Sequence, residues 1–192
     1  MSNFTKSKEL RLKYKVQNLI TELRLPMTIN CLGKLIDLTS PKVMGILNVT
    51  PNSFYDGGKH YDDESVLFQV EKMLSEGATF IDIGAYSSKP SAEFVSEEEE
   101  ISRLIPVIQL VLKHFPDTLI SADTFRAKVA KAAIENGACI INDISAGSLD
   151  TAMMATVAKL HVPYIMMHMK GNPQTMQSMA YYENITKEIL FY

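Results

Sequence analysis

The sequence predicts an α/β fold, a (β/α)8 barrel that is truncated here to about five βα units behind an N-terminal hairpin. From Val43 onward the chain repeats one unit, which consists of an apolar strand, a polar loop, an amphipathic helix and a short turn. Each strand also ends at a polar side chain, as in a barrel whose successive loops share one binding rim. A doubly wound sheet is disfavoured because the sequence contains neither G-x-G-x-x-G nor a P-loop.

The individual elements follow from apolar runs and the turn residues between them. Alternating apolar and polar residues around Gly33 predict a hairpin within residues 27–41, which we expect to close the bottom of the barrel. The predicted strands are Val43–Leu47, Thr79–Ile83, Thr118–Ala122, Cys139–Ile141 and Pro163–Met167. The predicted helices are Asp63–Glu76, Glu97–His114, Arg126–Asn136 and Asp150–Leu160, and a further helical pattern begins at Tyr182.

Several helix ends carry recognisable signals. Gly77 and Gly137 stand where a helix must end in a left-handed residue before the next strand. Ser96 and Glu99 form a capping box that starts the second helix. Asp150 is the predicted cap of the fourth helix.

The chain divides into a basic N-terminal extension, residues 1–26, and a partial barrel domain, residues 27–192. The extension contains six Lys and Arg residues against Glu9 and Glu22. We interpret it as a solvated, partly helical segment, because its acidic residues and weak apolar face disfavour a tether to an anionic surface. Since a closed barrel needs about eight units, we expect the isolated chain to be inactive and poorly monomeric.

Composition excludes several classes of function. The 192 residues carry a net charge of −3, which gives no general attraction to nucleic acid or to a membrane. Two cysteines, Cys31 and Cys139, argue against a disulfide framework and fit a reducing compartment. The sequence lacks both a membrane-spanning apolar run and the pattern of a signal peptide, so a cytoplasmic location is expected.

The stretch from Val43 to Gly58, V-M-G-I-L-N-V-T-P-N-S-F-Y-D-G-G, is the first predicted part of a binding site. It passes from a buried strand into a polar loop at the strand's carboxyl end, where ligands bind in α/β folds. The amide oxygen of Asn48 suits Mg²⁺, which prefers oxygen ligands. The alternative is that this amide only caps backbone groups at the strand end.

Later strand ends supply further candidates. Asp123 ends an apolar strand, where a carboxylate is costly unless it is paired with Arg126 or used to bind a ligand. Asn142 and Asp143 should point to opposite faces of their strand, and we assign the inward role to Asn142. His168 is either a site residue or a hydrogen-bonded residue of the strand end.

Two polar clusters have less distinctive patterns. The loop from Ser87 to Pro90 combines hydroxyls with Lys89, which suits an oxyanion, although a solvated turn is the more frequent case. The run Glu97–Glu100 is interpreted as structural, because consecutive carboxylates on a helix point in different directions.

Five ordered stretches closely resemble the dihydropteroate synthases. The first is M-G-I-L-N-V-T-P-N-S-F-Y-D-G-G, and the second is G-A-T-F-I-D-I-G-A-Y-S-S-K-P-S-A. The others are I-S-A-D-T-F, G-A-C-I-I-N-D-I and P-Y-I-M-M-H-M-K-G-N-P-Q-T-M-Q. The resemblance runs from about Thr28 to Tyr182. It implies a TIM-barrel transferase that joins 6-hydroxymethyl-7,8-dihydropterin diphosphate to p-aminobenzoate, with release of pyrophosphate. It also implies a homodimeric full-length protein.

The resemblance assigns roles residue by residue. Asn48 would be the Mg²⁺ ligand, and Asp123 and Asn142 the catalytic pair that hydrogen-bonds the pterin. The implied substrate-binding residues are Ser88, Lys89, Asp123, Asn142, Met167 and Asp56. Three features depart from the family pattern: Asn52 replaces an aspartate, Ser88-Lys89 replaces Thr-Arg, and the motifs D-P-G-x-G-F, S-R-K-S and R-x-H-D are absent. The alternatives left open are a methyltetrahydrofolate-dependent methyltransferase, which shares the barrel and pterin pocket, and a non-catalytic partial barrel.

Overall fold

The structure, a computed structural model, describes residues 27–49, 62–86 and 95–192. Its strands are β1 (Thr28–Cys31), β2 (Lys34–Asp37), β3 (Val43–Asn48), β4 (Ala78–Gly84), β5 (Leu119–Asp123), β6 (Ile140–Asp143) and β7 (Tyr164–Met166). Its helices are α1 (Asp63–Ser75), α2 (Glu97–His114), α3 (Ala127–Glu135), α4 (Met153–Leu160) and α5 (Ile185–Leu190). The basic extension, residues 1–26, lies outside the described part, so its interpretation stays a prediction.

The predicted hairpin is present as the two-stranded sheet β1-β2. Its loop consists of Leu32 and Gly33, with φ of 52° and 84°. Positive φ at both central residues gives a tight two-residue turn whose twist matches that of the strands. The side chain of Asn30 reinforces the turn, because its Oδ1 accepts a hydrogen bond of 2.7 Å from the amide of Gly33.

Strands β3 to β7 form one parallel sheet whose spatial order is the chain order. Helices α1 to α4 connect these strands, and one sheet face packs on helix residues to form the core. The core contains Leu47, Ile81, Ile83, Ile120 and Ile141 from the strands, and Val66, Val70, Leu104, Ile108, Val129 and Val157 from the helices. Since burying one such side chain is worth about 1.5–3 kcal/mol, this packing holds the strands in register.

The sheet face opposite the helices is called here the inner face. Alternation along the strands turns to this face the residues that lie between the core positions. Ile46, for example, is 65% exposed, whereas its neighbour Leu47 is 1% exposed. The inner face is most exposed at the edge strand β3, whereas its residues Phe80, Asp82, Ser121 and Ile140 on β4 to β6 are almost fully buried.

The predicted helix ends are largely confirmed. Helix α2 has the predicted bounds, and Ser96 Oγ accepts from the amide of Glu99 at 3.1 Å. Gly77 and Gly137 have φ of 102° and 105°. The predicted start of α4 at Asp150 is wrong by three residues.

The shift arises because Asp150 caps two other groups. Its Oδ1 accepts from the amide of Ala152 at 2.9 Å and holds a turn that precedes the helix. Its Oδ2 accepts from the amide of Ala127 at 2.7 Å, at the first residue of α3. Helix α5 also begins later than predicted, because Asn184 is its cap and accepts from the amide of Lys187 at 3.0 Å.

Among the described helices, none combines the length and the apolar character that crossing a bilayer requires.

Candidate active site

Three of the predicted site residues and one glycine lie in a single row across the carboxyl end of the sheet. The register pairs Asn48 with Gly84, Gly84 with Asp123, and Asp123 with Asn142. Strands lie about 4.8 Å apart, so the row from Asn48 to Asn142 spans roughly 14 Å. Residues paired in register share a face of the sheet. The sheet therefore presents two amides and one carboxylate side by side on the inner face.

Gly84 leaves room for the carboxylate of Asp123. A Cβ atom at Gly84 would lie 3.1 Å from Asp123 Oδ2 and 3.3 Å from Asp123 Cβ. Such distances are tighter than ordinary van der Waals contact, so a side chain at this position would displace the carboxylate. The glycine of the D-I-G sequence in β4 thus sets where the carboxylate of β5 lies.

The carboxylate of Asp123 accepts no hydrogen bond from any residue in the described ranges. Burial, followed by the negative charges of Asp82, Glu100 and Asp143, raises the pKa of Asp123 to about 7. An acid with a pKa near neutrality and no internal partner is typical of a functional site. Asp123 is therefore poised to meet a ligand that brings hydrogen-bond donors or positive charge.

Arg126, which the sequence offered as the ion-pair partner of Asp123, pairs instead with Glu100. Arg126 Nη1 lies 2.6 Å from Glu100 Oε2, and Arg126 Nη2 donates to the carbonyl of Val95 at 2.7 Å. The hydroxyl of Thr124 donates to Glu100 Oε1 at 2.7 Å. These contacts join the start of α2 to the loop after β5.

Glu100 is 1% exposed, and burial raises its pKa against the lowering effect of Thr124 and Arg126. The run Glu97–Glu100 is thus structural, as predicted, but Glu100 differs from its neighbours. It lies four residues before Leu104 on the buried face of α2. That helical spacing was the available signal for its burial.

Asn142 and Asp143 lie on opposite faces of β6, as their positions predict. Asn142 Nδ2 donates to Asp82 Oδ2 at 3.0 Å on the inner face. Asp143 is fully buried on the helix side. It accepts from the amide of Ser145 at 2.7 Å and from the hydroxyl of Tyr164 at 2.6 Å. Asp143 therefore orders the loop after β6, and burial together with this carboxylate raises the pKa of Tyr164.

The side-chain amide of Asn48 is exposed at the edge of the sheet, and no described residue hydrogen-bonds it. Within residues 27–49, 62–86 and 95–192, no group of three or more His, Cys, Asp or Glu side chains is arranged around a metal position. A single exposed oxygen fits Mg²⁺, which keeps several waters and completes its shell with substrate phosphates. It does not fit a metal held by protein ligands alone.

The remaining candidates divide into two groups. Asp56, Ser88 and Lys89 lie outside the described residues, as does Asn52. Met167 follows β7, and its amide donates to the carbonyl of Asp143 at 3.1 Å. Since Asn142 pairs with Ile165, alternation places Met167 on the inner face beside the row.

His168 packs among aromatic rings. The ring centroids of His168 and Tyr192 are 4.4 Å apart and the ring planes are nearly perpendicular, while Tyr182 lies 5.7 Å away. Its two ring nitrogens are buried without a hydrogen-bond partner in the part of the chain that is described. Within the described residues, the contacts that His168 makes are therefore with aromatic rings, and not with Asp123 or Asn142.

Comparison with known protein families adds an independent observation. The model of the family described as pterin binding enzyme matches residues 44–192. The chain belongs to the pterin-binding enzyme family. This match includes every strand of the parallel sheet except the first residue of β3, so the row on the inner face lies within a pterin-binding domain.

Curated members of the pterin-binding enzyme family are similar over most of this chain. The dihydropteroate synthase of Haemophilus influenzae is 48% identical over 158 residues, which are 82% of this chain and 57% of that protein. The mitochondrial folate synthesis bifunctional protein of Pisum sativum is 51% identical over 152 residues, which are 77% of this chain and 29% of that protein. The chain thus spans little more than half the length of the first of these relatives.

Solved structures of the family confirm the fold. The dihydropteroate synthase of Yersinia pestis, solved with a sulfonamide drug complex, superposes with a TM-score of 0.76 at 41% identity and covers 86% of this chain and 59% of that one. The Xanthomonas albilineans enzyme with 4-aminobenzoic acid gives 0.73 at 38% identity, over 84% and 56% of the two chains. The predicted truncated barrel of about five βα units with an N-terminal hairpin is therefore confirmed.

Proposed function

We propose that this chain carries the pterin-binding half of a dihydropteroate synthase. The reaction would join 6-hydroxymethyl-7,8-dihydropterin diphosphate to p-aminobenzoate, and would yield dihydropteroate and pyrophosphate. The observation that carries the proposal is the row on the inner face, where Asp123 has no partner among the described residues and stands between Gly84 and Asn142. Membership of the pterin-binding family supports it.

The row suits the edge of a pterin ring that bears N–H groups. A carboxylate accepts hydrogen bonds only, and an amide oxygen does the same. Asp123 and the carbonyl oxygen of Asn142 would therefore bind neighbouring N–H donors of the ring, while Met167 packs against its face. The hydrogen bond to Asp123 would be stronger than the one to Asn142, because it is charge-assisted.

The chemistry then requires one bond to break and one to form. The C–O bond between the pterin methylene carbon and the diphosphate breaks, and the diphosphate leaves with the electron pair. The amine nitrogen of p-aminobenzoate attacks the methylene carbon, forms the new C–N bond and loses a proton to solvent. The ionised carboxylate of Asp123 stabilises the positive charge that develops on the pterin before attack.

Asn48 is the residue that would hold Mg²⁺ next to the diphosphate. Its exposed amide oxygen at the edge of the row supports this assignment. Bound Mg²⁺ neutralises charge on a leaving phosphate group. Ser88 and Lys89 would add contacts to the diphosphate, and Asp56 would be a further substrate-binding residue.

A turnover assay tests the proposal. The protein that contains this chain is incubated with the pterin diphosphate, p-aminobenzoate and Mg²⁺, and pyrophosphate release is followed together with dihydropteroate formation. We expect both products in equal amounts, with a loss of at least about a hundredfold for Asp123→Ala, the size of a lost electrostatic contact. The proposal would be overturned if no dihydropteroate formed from intact substrates, or if Asp123→Ala turned over at the wild-type rate.

We further propose a cytoplasmic location and a homodimeric full-length protein. Cys31 and Cys139 are both buried free thiols, which supports a reducing compartment. The dimer rests on the resemblance to the dihydropteroate synthases. Light scattering that gives the mass of one subunit would contradict the dimer, and fractionation into an oxidising compartment would contradict the location.

A further inference from the structure

A second carboxylate, Asp82, lies on the inner face two residues before Gly84 in β4. It is 4% exposed and pairs in register with Ser121 of β5. Burial is the main cause that raises the pKa of Asp82. Burying a carboxylate costs free energy that an apolar residue would not cost, so a packing role alone does not account for an aspartate at this position.

The hydrogen bonds of Asp82 show what the carboxylate does. Asp82 Oδ2 accepts from Asn142 Nδ2 at 3.0 Å. Asp82 Oδ1 has no hydrogen-bond partner within the described ranges, and neither does the hydroxyl of Ser121. Ser121 is near enough to lower the pKa of Asp82 but lies outside hydrogen-bonding geometry. Asn142 is therefore the described residue to which the carboxylate is hydrogen-bonded.

This contact decides which end of the Asn142 amide faces outward. An ionised carboxylate has no proton to donate, so it can bond only the NH₂ group of an amide. The carbonyl oxygen lies at the other end of the planar amide, and no described residue donates to it. With Nδ2 bound to Asp82, the carbonyl oxygen stays available beside Asp123.

We propose that Asp82 is a positioning residue that locks the Asn142 amide so that its carbonyl oxygen, beside the Asp123 carboxylate, selects ligands with adjacent N–H donors. This inference rests on the proposed function and deepens it, because it assigns a source of specificity for an amino-pteridine ring. A ring with a carbonyl in place of the amino group would meet two acceptors and would be rejected. Without Asp82, Asn142 could turn its NH₂ group toward such a ring.

Three variants separate this role from packing. Asp82→Leu has a similar size but cannot accept a hydrogen bond. Asp82→Asn keeps an acceptor oxygen of the same shape without the charge. Ser121→Ala is the matched control, because Ser121 is the buried neighbour of Asp82 in register and its hydroxyl makes no hydrogen bond to the described residues. Thermal unfolding and circular dichroism establish that each variant is folded.

The first measurement needs no ligand, and it already tests the proposal when it is made on the wild-type protein alone. Nuclear magnetic resonance of the Asn142 side-chain NH₂ group reports its hydrogen bond through slow exchange with solvent. We expect protection in the wild type, in Asp82→Asn and in Ser121→Ala, and its loss in Asp82→Leu. Rapid exchange of this group in the wild-type protein would overturn the proposal even if Asp82→Leu fails to fold.

The second measurement is the ratio of dissociation constants for two probes, pterin and lumazine, obtained by isothermal titration calorimetry. Lumazine has a carbonyl where pterin has the 2-amino group. Rejection that depends on unpaired polar groups is large, so we expect Asp82→Leu to reduce the preference for pterin at least about tenfold. Asp82→Asn and Ser121→Ala should change it less than about threefold.

Two results would contradict the assignment: an unchanged preference in Asp82→Leu, or an equal loss in Asp82→Asn. The first would reduce Asp82 to a structural residue, and the second would assign the effect to charge. Failure of the wild type to bind either probe would contradict the proposed function, whereas the exchange measurement on Asn142 would still test the positioning role. The two failures are therefore distinguishable.

Discussion

Replacing Asp123 by asparagine should stabilise the ligand-free protein above neutral pH while it removes pterin binding. The pKa of Asp123 is about 7 in the folded protein and 3.8 for an aspartate free of that environment. The folded state therefore holds this proton more tightly than the unfolded state. Stability falls as pH rises from the unfolded to the folded pKa, and the full penalty applies above both. The Asp123→Asn variant has no ionisable group at this position and would carry no such penalty.

The magnitude follows from the two pKa values of Asp123. At about 1.4 kcal/mol for each pH unit, the gap between about 7 and 3.8 amounts to about 4 kcal/mol of destabilisation at pH 8. At about pH 5 only the first part of this penalty is present, so the advantage of Asp123→Asn should grow by about 3 kcal/mol between about pH 5 and about pH 8.

Urea unfolding of the wild type and the variant at several pH values measures this difference. Asp117→Asn is the control, because Asp117 is exposed in the turn before the same strand, and we expect it to follow the wild-type curve. Calorimetry with pterin on the same samples should show binding by the wild type and Asp117→Asn only. Parallel pH curves for the wild type and Asp123→Asn would refute the reasoning, because they would mean that burial does not perturb this ionisation.

Three further predictions concern the surroundings of the row. Glu100→Ala should destabilise the fold by about 3–5 kcal/mol in urea unfolding, because the guanidinium of its partner Arg126 remains buried. The control Glu98→Ala, at an exposed ion pair, should change the unfolding midpoint little. Equal midpoints for these two variants would contradict the role of the buried pair. Gly84→Ala should weaken pterin binding in calorimetry by displacing the Asp123 carboxylate, and unchanged affinity would mean that this carboxylate relaxes without loss. Asn48→Ala should abolish the Mg²⁺-dependent part of diphosphate-ester binding and leave binding of the unphosphorylated pterin unchanged; equal loss for both ligands would argue against a metal role.

Much of the fold could be predicted from the sequence, because its signals are local. The cap at Ser96 and the glycines at Gly77 and Gly137 depend on a few neighbouring residues, and these three signals are confirmed. Of the predicted capping box only the Ser96 half is present, because the carboxylate of Glu99 bonds Arg103. The predicted start of α4 was wrong because the side chain of Asp150 accepts a hydrogen bond from the amide of Ala127, a residue 23 positions away. A contact between such distant residues cannot be predicted from the local sequence pattern.

The same distinction applies to the candidate site. Asp123 and Asn142 could be proposed because each is a polar residue at the end of an apolar run, and the register places them side by side. The role of Asp82 could not be predicted in this way, since its bond to Asn142 joins residues that are 60 positions apart in the chain. The ion pair of Arg126 with Glu100 was missed for the same reason.

A crystal structure of the chain with bound 6-hydroxymethylpterin tests the central claim most directly. The claim is that the carboxyl ends of β5 and β6 form the pterin site on the inner face. We predict that the N–H edge of the ring lies within hydrogen-bond distance of the Asp123 carboxylate and the Asn142 carbonyl oxygen, and that Met167 contacts the ring face. A pterin bound away from this row, or one whose ring leaves Asp123 without a contact, would contradict it.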